Sequence, residues 1–294
     1  MENKDFAVFI LTHGRPDKIK TLKSLELGGY TGKIYFIIDN EDKTIDEHIR
    51  KFGKEYVKVF DKKYWADQID ECDNFDERRT TTHARNASFS IAEEIGLKYF
   101  IQLDDDYTDF RYRWVDNKYV TDLTKEIPKS GKVRNLNKFF DIHLDFYKKT
   151  NCKSIAFAQG GDFIGGEGCG LISNYRRNSR KCMNSFICSV DRPFQFLGSM
   201  NEDVNAYVLL GSRGDLFLTL PYIGLEQAPT QITAGAITDK YKKYGTYCKS
   251  FMTVMIHPSS VKVSMMGNTV NRLHHRVKWI NTTPMIISEK HKKQ

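Results

Sequence analysis

A short apolar run that breaks directly into three acidic residues constrains this chain more than any other feature. Residues 98–109 read K-Y-F-I-Q-L-D-D-D-Y-T-D, so Tyr99, Phe100, Ile101 and Leu103 lead into Asp104, Asp105 and Asp106. The apolar part reads as a buried central strand, which needs partners on both sides and excludes charge from its interior. Successive side chains of an extended chain point to opposite faces, which places Asp104 and Asp106 on one face and Asp105 on the other. Adjacent carboxylates at a strand end repel unless a cation lies between them. Hard oxygen ligands at this spacing suit Mn2+ or Mg2+, with water and substrate phosphates completing the shell. The competing reading is a solvated acidic turn. A buried strand running straight into the triplet favours a metal–diphosphate site.

Upstream of this strand the pattern alternates. Residues 6–12 are almost continuously apolar and end at T-H-G-R-P-D-K, where Gly14 and Pro16 mark a tight loop. Residues 17–28 carry Ile19, Leu22, Leu25 and Leu27 at near-helical spacing and stop at Gly28-Gly29. A second strand at 33–38 ends in Asp39-Asn40-Glu41-Asp42, a helix is expected over 44–52, and a third strand over 57–60. Strand, helix, strand, helix, strand describes a doubly wound half that binds a nucleotide at its strand ends. Neither a G-x-G-x-x-G fingerprint nor a Walker sequence is present, which argues against NAD and P-loop chemistry. A long helix is expected over 76–97, carrying Arg85 and Asn86 just upstream of the acidic strand.

Beyond the triplet, F-R-Y-R-W-V (110–115) alternates with period two and predicts a strand with Arg111 and Arg113 on one basic face. Residues 116–135 are polar and rich in turn formers, residues 136–150 form an amphipathic helix, and 154–158 a strand. The run Q-G-G-D-F-I-G-G-E-G-C-G (159–170) includes Gly160 and Gly161, where the backbone can approach a ligand closely. A basic cluster follows at Arg176, Arg177, Arg180 and Lys181. Glu202 and Asp203 open a helix, where acids are common for dipole reasons but are also placed to serve as a general base. Strands are expected at 217–220 and 250–256. The tail N-R-L-H-H-R-V-K-W brings His274 and His275, with His257 a third histidine in a turn-like H-P-S-S setting. Neutral imidazole is a good ligand for Mn2+.

Composition sets the class. The chain has 294 residues, 40% hydrophobic and 28% charged, as in a soluble globular protein. No apolar run reaches membrane-span length, and the first twenty residues lack a signal-peptide layout, so a cytoplasmic protein with no membrane partner is expected. Six cysteines without C-x-x-C or zinc-like spacing are expected as reduced thiols. The net charge of +8 favours an anionic partner such as nucleic acid.

Taken together, F-I-L-T-H-G-R-P, I-I-D-N, the A-R-N helix and Q-L-D-D-D-Y resemble a GT-A-type glycosyltransferase. With M-N-E-D-V-N and the H-H-R-V-K-W tail, the chain more narrowly resembles the TET-associated glycosyltransferases, a mainly phage-encoded family inferred to add sugars to hydroxymethylated pyrimidines in DNA. The resemblance implies an α/β, GT-A-type fold. A Rossmann-like nucleotide-binding half (1–115) would share a mixed central sheet with an acceptor-binding half (136–294) inside one domain. It implies Thr12, Arg15 and Asp39 around the nucleoside, Arg85 and Asn86 nearer the sugar, and Asp104 and Asp105, with Gly160 and Gly161, on the donor. The metal would be held by Asp104 and Asp106 with His275 or His274, ahead of His257. The third carboxylate leaves Asp105/Asp106 open as the working pair. Asp203, then Glu202, would take the proton of the acceptor hydroxyl.

The implied cofactors are Mn2+ or Mg2+ and a nucleotide-sugar, with UDP-sugar favoured. The implied partner is DNA with hydroxymethylated pyrimidines. In duplex DNA the acceptor base has to leave the stack, with Tyr112 or Trp114 as candidate receivers. Rival readings are the same enzyme acting on a polysaccharide or protein, a metal-dependent nuclease using these carboxylates with His274 and His275, and a non-catalytic DNA-binding module. The sugar, the modified base, the stereochemical course and the oligomeric state are not legible in the sequence.

Overall fold

Every side chain of β1 (Phe6–Leu11) is buried, so this segment has no solvent face and must lie inside a sheet. A computed structural model of the protein places it there and describes residues 4–71, 77–116, 118–120, 131–159, 181–227, 240, 243–245, 247–266 and 272–282. β1 pairs in parallel with β2 (Lys33–Asp39) on one side and β4 (Tyr99–Asp104) on the other, and β2 pairs in parallel with β3 (Val57–Phe60). The connections are α1 (Lys20–Leu27), α2 (Ile45–Phe52), a short α3 (Lys62–Ala66) and α4 (Thr82–Glu94). Leu11 lies opposite Asp104 in the register, and Asp39 ends β2 on the same edge. The three strand ends named by the sequence therefore share one carboxyl edge, where open α/β sheets bind ligands.

The sheet continues without a break. Its order is β3-β2-β1-β4-β9-β8-β10-β5, adding β5 (Tyr107–Tyr112), β8 (Cys152–Ala158), β9 (Phe186–Ser189) and β10 (Leu216–Gln227). β9 runs antiparallel between β4 and β8, and β5 antiparallel to β10. This is the mixed sheet that the sequence predicts. The register slips between Leu220 and Gly224, so β10 pairs with β8 in its first half and with β5 in its second. That slip carries Gln227 towards the acidic turn between β4 and β5.

Alternation along the strands feeds two cores. Val8, Ile10, Ile101 and Leu103 pack with Leu25 of α1 and with Leu136, Phe140 and Leu144 of α5 (Leu136–Lys148). Ala7, Phe9 and Phe100 face the other way, against Ala87, Phe89 and Ala92 of α4 and Val204 and Val208 of α6 (Glu202–Ser212). Each buried Val, Leu, Ile or Phe side chain among these contributes about 1.5–3 kcal/mol. α7 (Cys248–Ile256) and the hairpin β11 (Val261–Met266)–β12 (Arg272–Val277) pack beside α6, and a 3-10 turn, Trp279–Thr282, lays Trp279 on Tyr207.

Four sequence expectations are corrected. The α4 helix starts at Thr82, because the Thr80 hydroxyl accepts the Thr82 N–H and three successive threonines disfavour a helix interior. α1 starts at Lys20, later than the Pro16-Asp17 pair implied. Residues 250–256 lie in a helix, with Ser250, Met252 and Thr253 inward and Phe251 and Met255 outward at i, i+4. A seven-residue apolar run does not distinguish the two periods. Finally, the basic face at 110–115 does not form. Arg113 lies in the break between β5 and β6 (Trp114–Val115) and is buried, within 3.7 Å of Glu226.

Gly224 makes room for that arginine, since a Cβ there would lie 2.3 Å from Arg113 Nε. Gly224→Ala should lower the unfolding free energy by about 1–3 kcal/mol, through displacement of a buried guanidinium. Urea denaturation would read this, and an unchanged midpoint would show that Arg113 repacks freely.

Candidate active site

β4 ends at Asp104, so Asp105 and Asp106 fall in the turn that leads to β5. This turn is clamped from α1. The buried Thr21 hydroxyl donates to the Asp104 carbonyl at 2.5 Å and accepts the Tyr107 N–H at 3.0 Å, while the Thr21 N–H donates to the Asp105 carbonyl at 3.2 Å. The three carboxylates then part company. Asp105 is buried, with one oxygen accepting from Thr12 Oγ1 at 2.7 Å and the other from Arg15 Nη2 at 2.9 Å. Asp106 accepts from Gln227 Nε2 at 3.0 Å. Asp104 pairs with Arg85 Nη2 at 2.9 Å.

Arg85 joins the two acidic elements. Its Nε donates to Glu202 Oε1 at 3.0 Å, and its guanidinium lies 5.0 Å from the Phe186 ring and 5.8 Å from that of Phe196. Burial works against its charge, but Asp104 and Glu202 outweigh burial and hold it protonated. Thr81 Oγ1 also donates to Glu202 at 2.8 Å. Burial pushes Asp104 up to about 7, opposed by Arg85 and reinforced by Asp106, Glu202 and Asp105. Asp203 is also pushed up to about 7, first by burial and then by the charge of Glu202, while its Oδ1 accepts the Val204 N–H at 2.8 Å. Glu202 is thus engaged by two donors from α4 and its cap. Asp203 is the carboxyl of the pair poised near neutrality.

The residue before this acidic pair, Asn201, takes a left-handed conformation with φ of 54°. Its Nδ2 lies 3.0 Å from the Lys249 carbonyl, 3.0 Å from Thr253 Oγ1 and 3.2 Å from His275 Nδ1. α7 and β12 are thereby fastened to the start of α6, and His275 is brought to the acidic end of the site. Burial, aided by His274, Lys249 and Lys181, lowers His275 to about 3, so its imidazole is neutral. His274 pairs with Ser264 across the hairpin, and its ring lies 4.3 Å from that of His275. His257 closes α7 and lies 3.1 Å from the Asn205 carbonyl, a structural position.

At the other end of the edge, Asp39 Oδ2 accepts from His13 Nδ1 at 2.7 Å, and its Oδ1 from Lys62 Nζ and the Glu41 N–H, each at 3.2 Å. Asn86 bonds the Phe196 backbone through both ends of its amide, at 3.1 and 2.8 Å, and so anchors the segment leading to α6. Gly160 and Gly161 lie outside the described residues, as do Arg176, Arg177 and Arg180. Tyr112 and Trp114 do not reach this site, because six strand residues at about 3.3 Å place Tyr112 roughly 20 Å from Asp106. Thr21, His13, Lys62, Thr81, Asn201 and Gln227 escaped sequence reasoning. Of these, His13 and Asn201 carry a local signal, their places inside T-H-G-R-P and M-N-E-D-V-N.

An α/β sheet with carboxylates, a buried arginine and a neutral histidine at its carboxyl edge defines a ligand-binding enzyme scaffold. The family model for TET-Associated Glycosyltransferase matches residues 6–236, and the chain belongs to that family. It is a glycosyltransferase with an α/β, GT-A-type fold. No curated protein matched in the sequence search. Among solved structures, it is similar to glucosyl-3-phosphoglycerate synthase from Mycobacterium tuberculosis in complex with Mg2+ and UDP. That match is 7% identical and covers 92% of this chain and 87% of the other, with a TM-score of 0.48. It is also similar to a putative nucleotide-diphospho-sugar transferase from Desulfovibrio desulfuricans G20, at 10% identity over 86% and 94% of the two chains, TM-score 0.42. Family membership rests on the sequence match.

Two outcomes test the site's electrostatics. Asp203 has a folded-state pKa above its unfolded value, so its ionisation disfavours the fold progressively as pH rises from about 4 to 7. Wild type should therefore lose stability relative to Asp203→Asn across that window in urea titrations. A pH-independent difference would refute the shift. Arg85→Gln leaves Asp104 and Glu202 without their shared cation and should cost about 3–5 kcal/mol in the same assay.

Proposed function

We propose that the protein transfers a sugar from a nucleotide-sugar to the hydroxymethyl group of a modified pyrimidine in DNA. The carrying observation is the convergence of Asp104, Arg85, Glu202 and Asp203 at the edge where β1, β2 and β4 end. Membership in the TET-associated glycosyltransferases and a net charge of +8 support the DNA acceptor.

The donor set fits a hard divalent cation, Mn2+ or Mg2+. Asp104 and Asp106 disfavour each other's ionisation, Arg85 is the one cation bonded to Asp104 among the described residues, and His275 is neutral. Among the described residues no three His, Cys, Asp or Glu side chains gather into a cage for a metal. This favours a shell that protein carboxylates share with donor phosphates. The described residues do not gather His275 with Asp104 and Asp106 into one group, and those two carboxylates would hold the ion. When bound, it would offset charge on the departing nucleoside diphosphate. Asp105, with both oxygens engaged, positions the loop of Thr12 and Arg15 and leaves the donor to its neighbours. A UDP-sugar is the favoured donor; the two solved structures named above are a UDP complex and a nucleotide-diphospho-sugar transferase by description.

In the reaction the hydroxymethyl oxygen attacks the anomeric carbon, and the bond from that carbon to the diphosphate oxygen breaks. Asp203 accepts the hydroxyl proton, and its elevated pKa suits a general base near neutral pH. Arg85 and Thr81 both bond Glu202, which leaves this task to Asp203.

Nucleoside mass spectrometry would test the reading, after incubation of hydroxymethylcytosine- or hydroxymethyluracil-containing DNA with Mn2+ and a panel of nucleotide-sugars. A hexose or pentose mass on one modified nucleoside is expected, absent with the Asp104→Ala, Asp106→Ala protein. Asp203→Asn should lower kcat by about 10²–10⁴ with little change in donor affinity. Hydrolysis of a nucleotide-sugar without transfer to DNA would move the acceptor to another class. Nicking of DNA without a sugar donor would reject the transferase reading.

A further inference from the structure

The loop after β1 is fixed on both flanks by buried carboxylates, and this decides which of its side chains can meet a ligand. On the β4 flank, Thr12 and Arg15 both bond Asp105. On the β2 flank, the Gly14 N–H donates to Asp42 Oδ2 at 2.7 Å, and Asp42 Oδ1 accepts from the Thr44 N–H and hydroxyl. Asp39, which the sequence singles out for the nucleoside, is 7% exposed, and its two oxygens accept from His13, Lys62 and the Glu41 N–H. Lys62 is held there because Asp61 caps α3 and makes Lys62 its first residue. Both acids are buried, and each of their carboxylate oxygens already accepts at least one of these bonds. His13 differs, since its side chain is 44% exposed while Nδ1 is committed to Asp39.

Position along the edge supports a nucleoside contact. β1 separates β2 from β4, and two strand spacings put the Asp39 end about 10 Å from the Asp104 end. A diphosphate seated at Asp104 and Asp106 would extend its nucleoside about that far. We propose that His13, held by Asp39, donates a hydrogen bond from Nε2 to an oxygen of the donor's nucleoside, with Asp39 as its positioning residue. This rests on the reading of the site as a nucleotide-sugar site. Three charged groups face the imidazole: Asp39 of β2, Asp42 of the following turn and Lys62 of α3. The Asp39 hydrogen bond, against burial, raises the pKa of His13, and the charges of Asp39 and Asp42 outweigh that of Lys62. With Nδ1–H directed at Asp39, Nε2 is a donor only in the protonated ring.

Calorimetric titration of the full-length protein with UDP, Mn2+ present, from pH 6 to 9 tests this, with GDP, ADP, CDP and dTDP at pH 6.5 as a panel. Wild type should bind UDP about tenfold to a hundredfold more tightly than His13→Ala at pH 6, the range for one charge-assisted hydrogen bond. The gap should close as pH rises through the His13 titration. His13→Gln, a donor that does not titrate, should restore most of the affinity and flatten the pH profile. Asp39→Asn should shift the midpoint of the profile down, a change that loss of packing alone would not produce. Pyrophosphate affinity should be equal in wild type and His13→Ala. Equal UDP affinity in those two proteins at every pH would overturn the inference, and so would a matching loss for pyrophosphate. Failure of wild type to bind any of the five nucleoside diphosphates would instead reject the nucleotide-sugar reading.

Discussion

A fully buried guanidinium between two carboxylates is the interaction on which the rest of this site depends. Arg85 comes from α4, Asp104 from β4 and Glu202 from α6, so one side chain ties two consecutive elements to a third whose glutamate lies 117 residues beyond the arginine. Removing an ion from water costs several kcal/mol, which only near-ideal partners offset. Two carboxylates at 2.9 and 3.0 Å and two aromatic faces supply those partners. The arrangement also settles a division of labour. Glu202 is bonded to that cation, while burial and the charge of Glu202 raise the pKa of Asp203 against the opposing charges of Arg85 and Lys249.

The acidic turn shows the same economy of polar contacts. Asp105 faces inward and orders the β1 loop, while Thr21 stitches the turn to α1. Asp104 and Asp106 are left as the half-buried pair, one answered by Arg85 and the other by Gln227. Three like residues in a row thus acquire three roles, set by which distant donor reaches each.

Much of the scaffold was legible in the chain. Apolar runs at 6–11 and at 99–103, the second interrupted by Gln102, required a sheet buried on both faces, and helical spacing between strands required parallel pairing. The errors share one cause. In 250–256 and 110–115 the local pattern suits two structures, and packing chose between them: α7 turned two of its apolar residues outward, and Arg113 turned inward beside a glycine. The helix expected from 76 likewise yielded to the bond from the Thr82 N–H to the Thr80 hydroxyl.

For the site, composition and order supplied the candidates but not their assignments. Asp39, Asn86 and Asp105 carry the signature of ligand contacts in sequence, yet each has its polar atoms engaged within the protein. His274 and His275 are indistinguishable as letters, and only the fold sets Nδ1 of His275 3.2 Å from Asn201 at the start of α6. The sequence by itself determined the parallel core, the carboxyl edge and the family, because periodicity and short local motifs encode these. The tertiary structure alone decided which carboxylate is paired, which is poised and which side chain meets solvent, because hydrogen bonds and desolvation depend on neighbours from 19 to 121 residues away.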